Sequence, residues 1–281
     1  MAIVDLHLHT RASDGRLSPR ELVNYIYRRG IRYAAITDHD STEALNEAYD
    51  AKEQFSELTL IPGIELSTEV QGGEIHILGY FLKWKNQEFQ DILANFRQGR
   101  VYRAEGMVSK LDQIGIKLDW QRVLHFAGDG SVGRPHIALS MVEMGYVNSV
   151  KEAFDRYLGR DGPAYVGRAK LRPVDAIEMI QSVGGAAVLA HPSWVDNLET
   201  NLVPMKDAGL VGMEVHYGNY SPEMIGYLAR VAATFDLIPC GGSDYHAMGN
   251  QDEALPGNAG PPESTVEQLR ASAHNNNQSV M

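Results

Sequence analysis

The chain has 281 residues, of which 44% are hydrophobic and 22% are charged, proportions that are typical of a globular protein. It has no apolar run long enough to span a bilayer, no leader of the secretory type, and a single cysteine, Cys240, which excludes an internal disulfide framework. These features predict a cytoplasmic protein without a membrane partner.

The net charge of −11 is unevenly distributed along the chain. Residues 97–172 contain 13 lysines and arginines against 8 acidic residues, whereas the remainder contains 12 against 28. The basic middle segment favours contact with an anionic substrate, and the acidic remainder favours the binding of cations.

Strand and helix signals alternate in the first third of the chain. Residues 2–4 begin a buried strand, and Ser18-Pro19-Arg20-Glu21 combines an N-cap, a proline at the first helical position and a capping box. A short strand at 33–36 and further strands at 58–65 and 75–81 follow. This alternation predicts strand-helix units in a parallel sheet or barrel.

The pattern changes between residues 88 and 160, where the signals are helical. Alternation resumes at Pro173 with three more strands, so we predict an α/β barrel interrupted by a mainly helical insertion. The expected divisions are 1–87 and 173–265 for the barrel, 88–172 for an insertion that caps the substrate, and 266–281 for a C-terminal tail with a disordered end.

Metal-capable side chains recur at nearly every predicted strand end. Alternate residues of a strand share a face, so His7 and His9 point the same way, although two such histidines alone could be ordinary core residues. The full set is His7, His9, Asp38, His39, Glu65, His76, His191, Asp244 and His246, with Asp14 in the loop after the first strand. Catalytic side chains gather at the carboxyl ends of barrel strands, and a histidine and carboxylate set without thiolates predicts a catalytic site for Mn²⁺, Fe²⁺ or Zn²⁺.

Seven motifs, in chain order, resemble those of the PHP (polymerase and histidinol phosphatase) family. They are His7-x-His9, Ser13-Asp14-Gly15, Thr37-Asp38-His39, Gly63-Ile64-Glu65, His76-Ile77-Leu78-Gly79, Leu189-Ala190-His191-Pro192 and Gly242-Ser243-Asp244-Tyr245-His246. The resemblance runs from residue 2 to about residue 250. It implies a distorted (β/α)₇ barrel, a trinuclear metal centre and phosphoesterase activity.

The same resemblance implies which residues hold each of three divalent ions. The first ion would be held by His7, His9, Glu65 and Asp244, the second by Glu65, His76 and His191, and the third by Asp14, His39 and His246. A carboxylate at Asp14 favours Mn²⁺ or Fe²⁺ over Zn²⁺. Glu65 and His191 are thus expected to be catalytic, while Asp38 either orients a ligating histidine or caps the helix that follows.

A segment of the insertion, Ser131-Val132-Gly133-Arg134-Pro135-His136, resembles the PHP subgroup that acts on nucleotides phosphorylated at both the 3′ and 5′ positions. Arg134 and His136 are the expected phosphate-binding residues, because a guanidinium matches phosphate oxygens bidentately. Arg168 and Lys170 are further candidates. The alternative for Arg134 is that it forms a surface ion pair. The alternative for Arg168 and Lys170 is that they are ordinary solvated surface residues.

The predicted function is removal of the 3′-phosphate from nucleoside 3′,5′-bisphosphates such as adenosine 3′,5′-bisphosphate. The same chemistry would also trim small RNAs from a 5′-phosphorylated end. Two alternatives stay open at this stage: a histidinol-phosphate phosphatase or other small phosphomonoesterase, and a non-catalytic PHP module that binds a partner.

Overall fold

The computed structural model describes residues 2–70, 73–128, 130–167, 171–249 and 252–279, with side chains up to Ala273. Seven strands form one sheet in which each strand pairs with its neighbours in chain order. The strands are β1 (Val4–Asp5), β2 (Tyr33–Ile36), β3 (Thr59–Val70), β4 (Gly73–Tyr80), β5 (Ala186–Leu189), β6 (Gly212–Tyr217) and β7 (Ile238–Gly242).

The sheet curls until its last strand meets its first. The backbone N–H of Leu6 donates to the carbonyl of Gly241 at 3.3 Å, and the N–H of Asp244 donates to the carbonyl of His7 at 2.9 Å. These bonds continue the ladder just beyond β1 and β7. The result is a nearly closed seven-stranded barrel, as the sequence predicts.

The strands are parallel except β4, which runs antiparallel to both β3 and β5. The parallel pairing that strand-helix alternation favours therefore does not extend to this strand. β3 ends at Val70 and β4 begins at Gly73, a gap too short for the crossover that a parallel pair needs, so the chain must reverse. The reversal has a useful consequence, because the first half of β4 lies at the same barrel end as the carboxyl ends of the parallel strands.

Six helices flank the barrel. They are α1 (Pro19–Arg28), α2 (Ala44–Lys52), α7 (Pro173–Ser182), α8 (Leu198–Asp207), α9 (Pro222–Thr234) and α10 (Ser264–Ser279). The predicted capping box of α1 is present, since the Ser18 hydroxyl accepts from the Glu21 N–H and the Glu21 carboxylate accepts from the Ser18 N–H. Its stripe of Leu22, Val23 and Ile26 is buried.

The C-terminal segment differs from the predicted tail. Residues Ser264–Ser279 form α10, and the side chains of Val266 and Leu269 are fully buried among barrel residues. Val266, Leu269 and Ala273 are spaced three and four residues apart and make an apolar stripe, which packs the beginning of the predicted tail against the barrel. Val280 and Met281 lie outside the described residues.

The segment between β4 and α7 is helical throughout its described part. It contains α3 (Gln87–Gln113), α4 (Trp120–Ala127), α5 (Arg134–Glu143) and α6 (Val150–Ala153), which continues into a π-helical turn at Phe154–Leu158. The first turns of α3 pack on the barrel through Phe89 and Leu93, whereas Met107, Ile137 and Met141 belong to a separate core within the insertion. None of the described helices combines the length and apolar character needed to cross a bilayer.

Candidate metal centre and substrate cavity

Five imidazoles surround the buried carboxylate of Glu65, in the middle of β3. They divide between its two oxygens: Oε2 lies 3.3 Å from His7 Nε2, 3.3 Å from His9 Nε2 and 3.0 Å from His39 Nδ1, and Oε1 lies 2.8 Å from His76 Nδ1 and 3.2 Å from His191 Nε2. His76 reaches the cluster because β4 is reversed. A carboxylate with separate partners on each oxygen is suited to bridging two cations.

Two further carboxylates extend the cluster. Asp244 Oδ1 lies 3.2 Å from His7 Nε2 and 3.0 Å from His9 Nε2. Asp14 Oδ1 lies 3.2 Å from His246 Nε2, and Asp14 Oδ2 lies 3.7 Å from His39 Nε2. The structure thus brings every metal-ligand candidate from the sequence to one end of the barrel.

The chemistry of these donors fits divalent cations. Nine buried side-chain atoms of the described residues have no hydrogen-bond partner, and five of them belong to this cluster: His7 Nε2, His9 Nε2, His39 Nδ1, Asp14 Oδ1 and Glu65 Oε2. A buried polar atom without a partner costs about 1–3 kcal/mol, and here several converge within 4.8 Å of one another. A mixed set of imidazole nitrogens and carboxylate oxygens matches Mn²⁺, Fe²⁺ or Zn²⁺.

The electrostatics keep the carboxylates of the cluster in the ionised state that cations require. Burial opposes ionisation of Glu65, but the imidazoles of His39 and His76 hold its pKa well below the usual range. His7 and His246 likewise hold the pKa of Asp244 well below its usual range, against the effect of burial. These carboxylates are therefore ionised at neutral pH.

Glu214 is a residue of the site that the sequence prediction missed. It is fully buried on β6, with Oε1 3.1 Å from His7 Nδ1, and its Oε2 accepts the backbone N–H of His191 at 2.7 Å. The contact with Nδ1 leaves His7 Nε2 directed at Glu65 and Asp244. The available signal was a lone acidic residue between the core residues Met213 and Val215 in a buried strand.

The side chain of Asp38 binds the loop that follows β1, and its role in orienting a ligating histidine stays a prediction. Its carboxylate accepts hydrogen bonds from the Thr10 N–H and hydroxyl, both at 2.7 Å, and from the Ser13 hydroxyl at 2.6 Å. Its closest link to an imidazole in the described part of the chain is indirect, because Ser13 Oγ lies 3.5 Å from His9 Nδ1. Asp38 therefore anchors the loop that carries Asp14.

A cavity of about 160 Å³ separates the metal-ligand cluster from the insertion. Asp14, His39 and His76 line one side, and Arg100, Arg103 and Arg134 line the other. The guanidinium of Arg134 lies 2.5 Å from Glu74 Oε2, so the ion pair considered for Arg134 exists. It is a partly buried contact within the cavity, and it places the guanidinium beside His76.

Arg100 and Arg103 on α3 were not singled out from the sequence. Arg100 donates to Asp40 at 2.7 Å and to the Ser67 hydroxyl at 2.8 Å, while Arg103 donates to Glu74 Oε1 at 3.0 Å. Their spacing of three residues on a predicted helix places them on one face, which was the available signal. Two arginines from α3 and one from α5 therefore share the cavity.

The other phosphate-binding candidates are placed differently. His136 is buried and accepts the Gly133 N–H on Nδ1 at 3.0 Å, so it caps α5, and it is not among the described residues that line the cavity. Burial lowers its pKa. Arg168 and Lys170 lie outside the described residues.

Comparison with known proteins identifies a matching family and relatives that are similar over most of the chain. The family model described as PHP domain matches residues 5–152. The chain is 36% identical over 249 residues to a 5′-3′ exoribonuclease of Haemophilus influenzae, covering 86% of this chain and 89% of the relative. It is 32% identical over 254 residues to a 3′,5′-nucleoside bisphosphate phosphatase of Chromobacterium violaceum, covering 89% of each.

Solved structures share the whole architecture. A candidate metal-dependent phosphoesterase from Bifidobacterium adolescentis superposes with a TM-score of 0.87 at 29% identity, over 96% of each chain. An amidohydrolase from Chromobacterium violaceum, solved with bound sulfate and no metal, gives the same TM-score and identity over 96% of this chain and 97% of that one.

Proposed function

The chain belongs to the PHP domain family and is a metal-dependent phosphoesterase, and we propose that it removes the 3′-phosphate from nucleoside 3′,5′-bisphosphates. One observation carries this choice of substrate: three guanidiniums line a cavity that opens directly onto His39 and His76. A substrate with two phosphates has one for the metal centre and one for the arginines.

The charge balance of the cavity supports a second anionic group. Arg103 and Arg134 share the carboxylate of Glu74, and Arg100 pairs with Asp40. The three guanidiniums are therefore paired with two carboxylates, which leaves one positive charge in excess. A 5′-phosphate would offset this excess positive charge and accept charge-assisted hydrogen bonds from the guanidiniums. Histidinol phosphate would instead present an ammonium group to the arginines, which disfavours that alternative.

We further propose that the cluster holds three divalent ions, with Mn²⁺ as the preferred metal. The ligands would be His7, His9, Glu65 and Asp244 for one ion, Glu65, His76 and His191 for the second, and Asp14, His39 and His246 for the third. Such ions supply Lewis acidity for the hydrolysis of phosphate esters.

The chain's own residues position the substrate and the ligands. Arg134 and Arg103 bind the 5′-phosphate, and Glu74 holds their guanidiniums at the cavity wall. Glu214 orients the ring of His7 through its contact with Nδ1, while Nε2 faces Glu65 and Asp244. In the reaction water adds to phosphorus and the bond from phosphorus to O3′ breaks; O3′ takes a proton, so the products are the nucleoside 5′-phosphate with a 3′-hydroxyl and inorganic phosphate.

Two other predictions bear on this function. A non-catalytic binding module is disfavoured because the candidate metal ligands, including Glu65, His191 and Asp244, lie together at one end of the barrel. The cytoplasmic location stays a prediction from the sequence.

Phosphate release from adenosine 3′,5′-bisphosphate by the Mn²⁺-loaded protein tests the proposal, with 3′-AMP, 5′-AMP and histidinol phosphate in parallel. We expect kcat/KM for the bisphosphate to exceed that for 3′-AMP by roughly 10- to 100-fold, the contribution of charge-assisted hydrogen bonds to the 5′-phosphate. Equal rates on 3′-AMP, or faster turnover of histidinol phosphate, would reject the substrate while leaving the phosphoesterase chemistry in place.

A further inference from the structure

A large aromatic side chain is exposed at the edge of the metal-ligand cluster. Trp194 ends a short 3₁₀-helix, Pro192–Trp194, that directly follows His191, and 62% of its surface is accessible to solvent. Its ring centroid lies 4.3 Å from that of His191. An exposed indole beside a polar site has no role in the core of the barrel.

Both the backbone and the ring of Trp194 are held by neighbouring residues. The backbone N–H of Trp194 donates to the carbonyl of His191 at 3.1 Å, and the indole ring packs edge-on against the ring of Tyr217, with a centroid distance of 5.8 Å and an interplanar angle of 83°. The hydroxyl of Tyr217 donates to Asp244 Oδ2 at 2.7 Å, so the support of the indole is tied to the metal-ligand cluster. A fixed and exposed aromatic face is suited to stacking on a flat ligand.

A series of neighbouring rings connects the arginine cavity with Trp194, and Trp194 also lines a small pocket with Glu74, a residue of the cavity wall. The centroids of His39 and His76 are 5.1 Å apart, those of His76 and His191 are 5.0 Å apart, and Trp194 continues the series. The cavity opens on His39 and His76, whereas Trp194 adjoins His191. A chain whose scissile phosphate lies over His76 and His191, with its 5′-phosphate among the arginines, therefore has Trp194 within reach of its next base.

We propose that Trp194 stacks on the base of the nucleotide that follows the scissile phosphate, and that this contact allows the site to trim 5′-phosphorylated RNA. The inference rests on the proposed function, because it takes the arginine cavity as the 5′-phosphate site. Aromatic stacking is the usual way to hold single-stranded bases without regard to sequence. The exoribonuclease name of the Haemophilus influenzae relative accords with such a substrate.

The bond that breaks is the same in both substrates. Water adds to phosphorus, the bond from phosphorus to O3′ of the first nucleotide breaks, and that oxygen takes a proton. In RNA the phosphate stays on O5′ of the next nucleotide and becomes a new 5′-phosphate. In adenosine 3′,5′-bisphosphate it leaves as inorganic phosphate, and no following base is present to contact Trp194.

The test compares Trp194→Ala with the unaltered protein on the 5′-phosphorylated dinucleotide pApA and on adenosine 3′,5′-bisphosphate. We expect kcat/KM on pApA to fall roughly 5- to 100-fold, the effect of losing one stacked base, and the rate on the bisphosphate to stay within about twofold. Trp194→Phe should restore most of the dinucleotide activity. Tyr102→Ala is the matched control, since Tyr102 is 66% exposed on α3 and is not among the described residues that line the cavity.

The outcomes separate this inference from the function on which it rests. An equal loss on both substrates would make Trp194 a support for His191, and an unchanged rate on pApA would remove it from the site; either result overturns the inference. Hydrolysis of the bisphosphate without cleavage of pApA by the unaltered protein would overturn it while the phosphatase function stands. Failure on both substrates would reject the proposed function as well.

Discussion

The carboxylate of Glu214 contacts Nδ1 of His7 at 3.1 Å, on the side of the ring opposite the metal-ligand cluster. Both side chains are fully buried, and the second oxygen of Glu214 is bound to the backbone N–H of His191. One carboxylate therefore fixes the ring of one candidate ligand and the main chain of another. The backbone at His191 has a φ of +29°, an uncommon value for a residue other than glycine, and Glu214 helps to hold it there.

Glu214→Gln is expected to weaken metal binding and turnover by about 10- to 100-fold, because residues that orient metal ligands have effects of this size. The amide keeps the shape of the side chain but presents its NH₂ group to either His7 or the His191 N–H. Titration of the metal-free protein with Mn²⁺, followed by calorimetry, measures the change. Glu223→Gln, an exposed position on α9, is the control, and unchanged affinity in Glu214→Gln would contradict the role in positioning.

Removal of metal is expected to destabilise the protein, because the buried donors around Glu65 then lack partners. At a free Mn²⁺ concentration 100 times the Kd, binding contributes about 2.7 kcal/mol, which raises Tm by roughly 5–10 °C in a chain of this size. Differential scanning calorimetry with and without Mn²⁺ measures the shift. In Glu65→Gln we expect most of the shift and all turnover to disappear.

Mg²⁺ provides the control for this experiment, since it prefers oxygen ligands and should stabilise a histidine-rich site less than Mn²⁺ does. An identical Tm with and without Mn²⁺ would count against a metal centre at Glu65. So would full activity in the Glu65→Gln variant.

The convergence of the candidate metal donors could be predicted from the sequence because these residues follow local rules. Side chains of alternate strand residues share a face, and parallel strands end at the same edge of a barrel, so His7, His9 and Glu65 were expected to meet. The same rules do not specify the contacts of Asp38, which lies next to His39 in sequence and whose carboxylate binds Thr10 and Ser13. Adjacent strand residues face opposite ways, and a strand-end position alone does not say which one faces the site.

The missed residues depend on long-range packing. Glu214 meets His7 across 207 positions of sequence, and only closure of the barrel brings them together. Arg100 and Arg103 face the site because of the way the insertion packs over the strand ends, which no local pattern specifies. For His136 the phosphate-binding role stays a prediction, and the motif did not indicate its local bond to Gly133, which caps α5.

Arg134→Met is expected to raise KM for adenosine 3′,5′-bisphosphate by roughly 10- to 100-fold, through loss of charge-assisted hydrogen bonds to the 5′-phosphate. Methionine keeps an unbranched apolar stem to fill the space against Phe154, over whose ring the guanidinium lies at 5.4 Å. Hydrolysis of 3′-AMP, which has no 5′-phosphate, should change little. Steady-state kinetics on both substrates measures the difference.

Arg122→Met is the control for this variant, because Arg122 pairs with Glu143 on the exposed surface of the insertion. A parallel fall on 3′-AMP and on the bisphosphate would show that Arg134 supports the fold of the insertion. It would also remove the 5′-phosphate from the arginine cavity.

The lowered pKa of Glu74 leads to a prediction of how the stability of the metal-free protein depends on pH. Burial opposes its ionisation, but Arg134, His76 and Arg103 lower its pKa from 4.5 to about 2. A carboxylate with a lowered pKa contributes stability above its unfolded pKa and loses it as the pH falls toward the folded value. The contribution of Glu74 is therefore complete above pH 4.5 and disappears between pH 4.5 and about 2.

Urea unfolding of the unaltered protein and of Glu74→Gln, at pH 6, 4.5 and 3, measures this contribution. The difference between their free energies of unfolding should be constant at the two higher pH values and shrink at pH 3, with a total range of up to about 3 kcal/mol. Glutamine has no charge to titrate, so any common effect of acid on the other carboxylates cancels in the difference. A difference that stays constant down to pH 3 would mean that Glu74 is not held ionised by the two arginines, and the cavity would then lack the fixed guanidiniums on which the 5′-phosphate site depends.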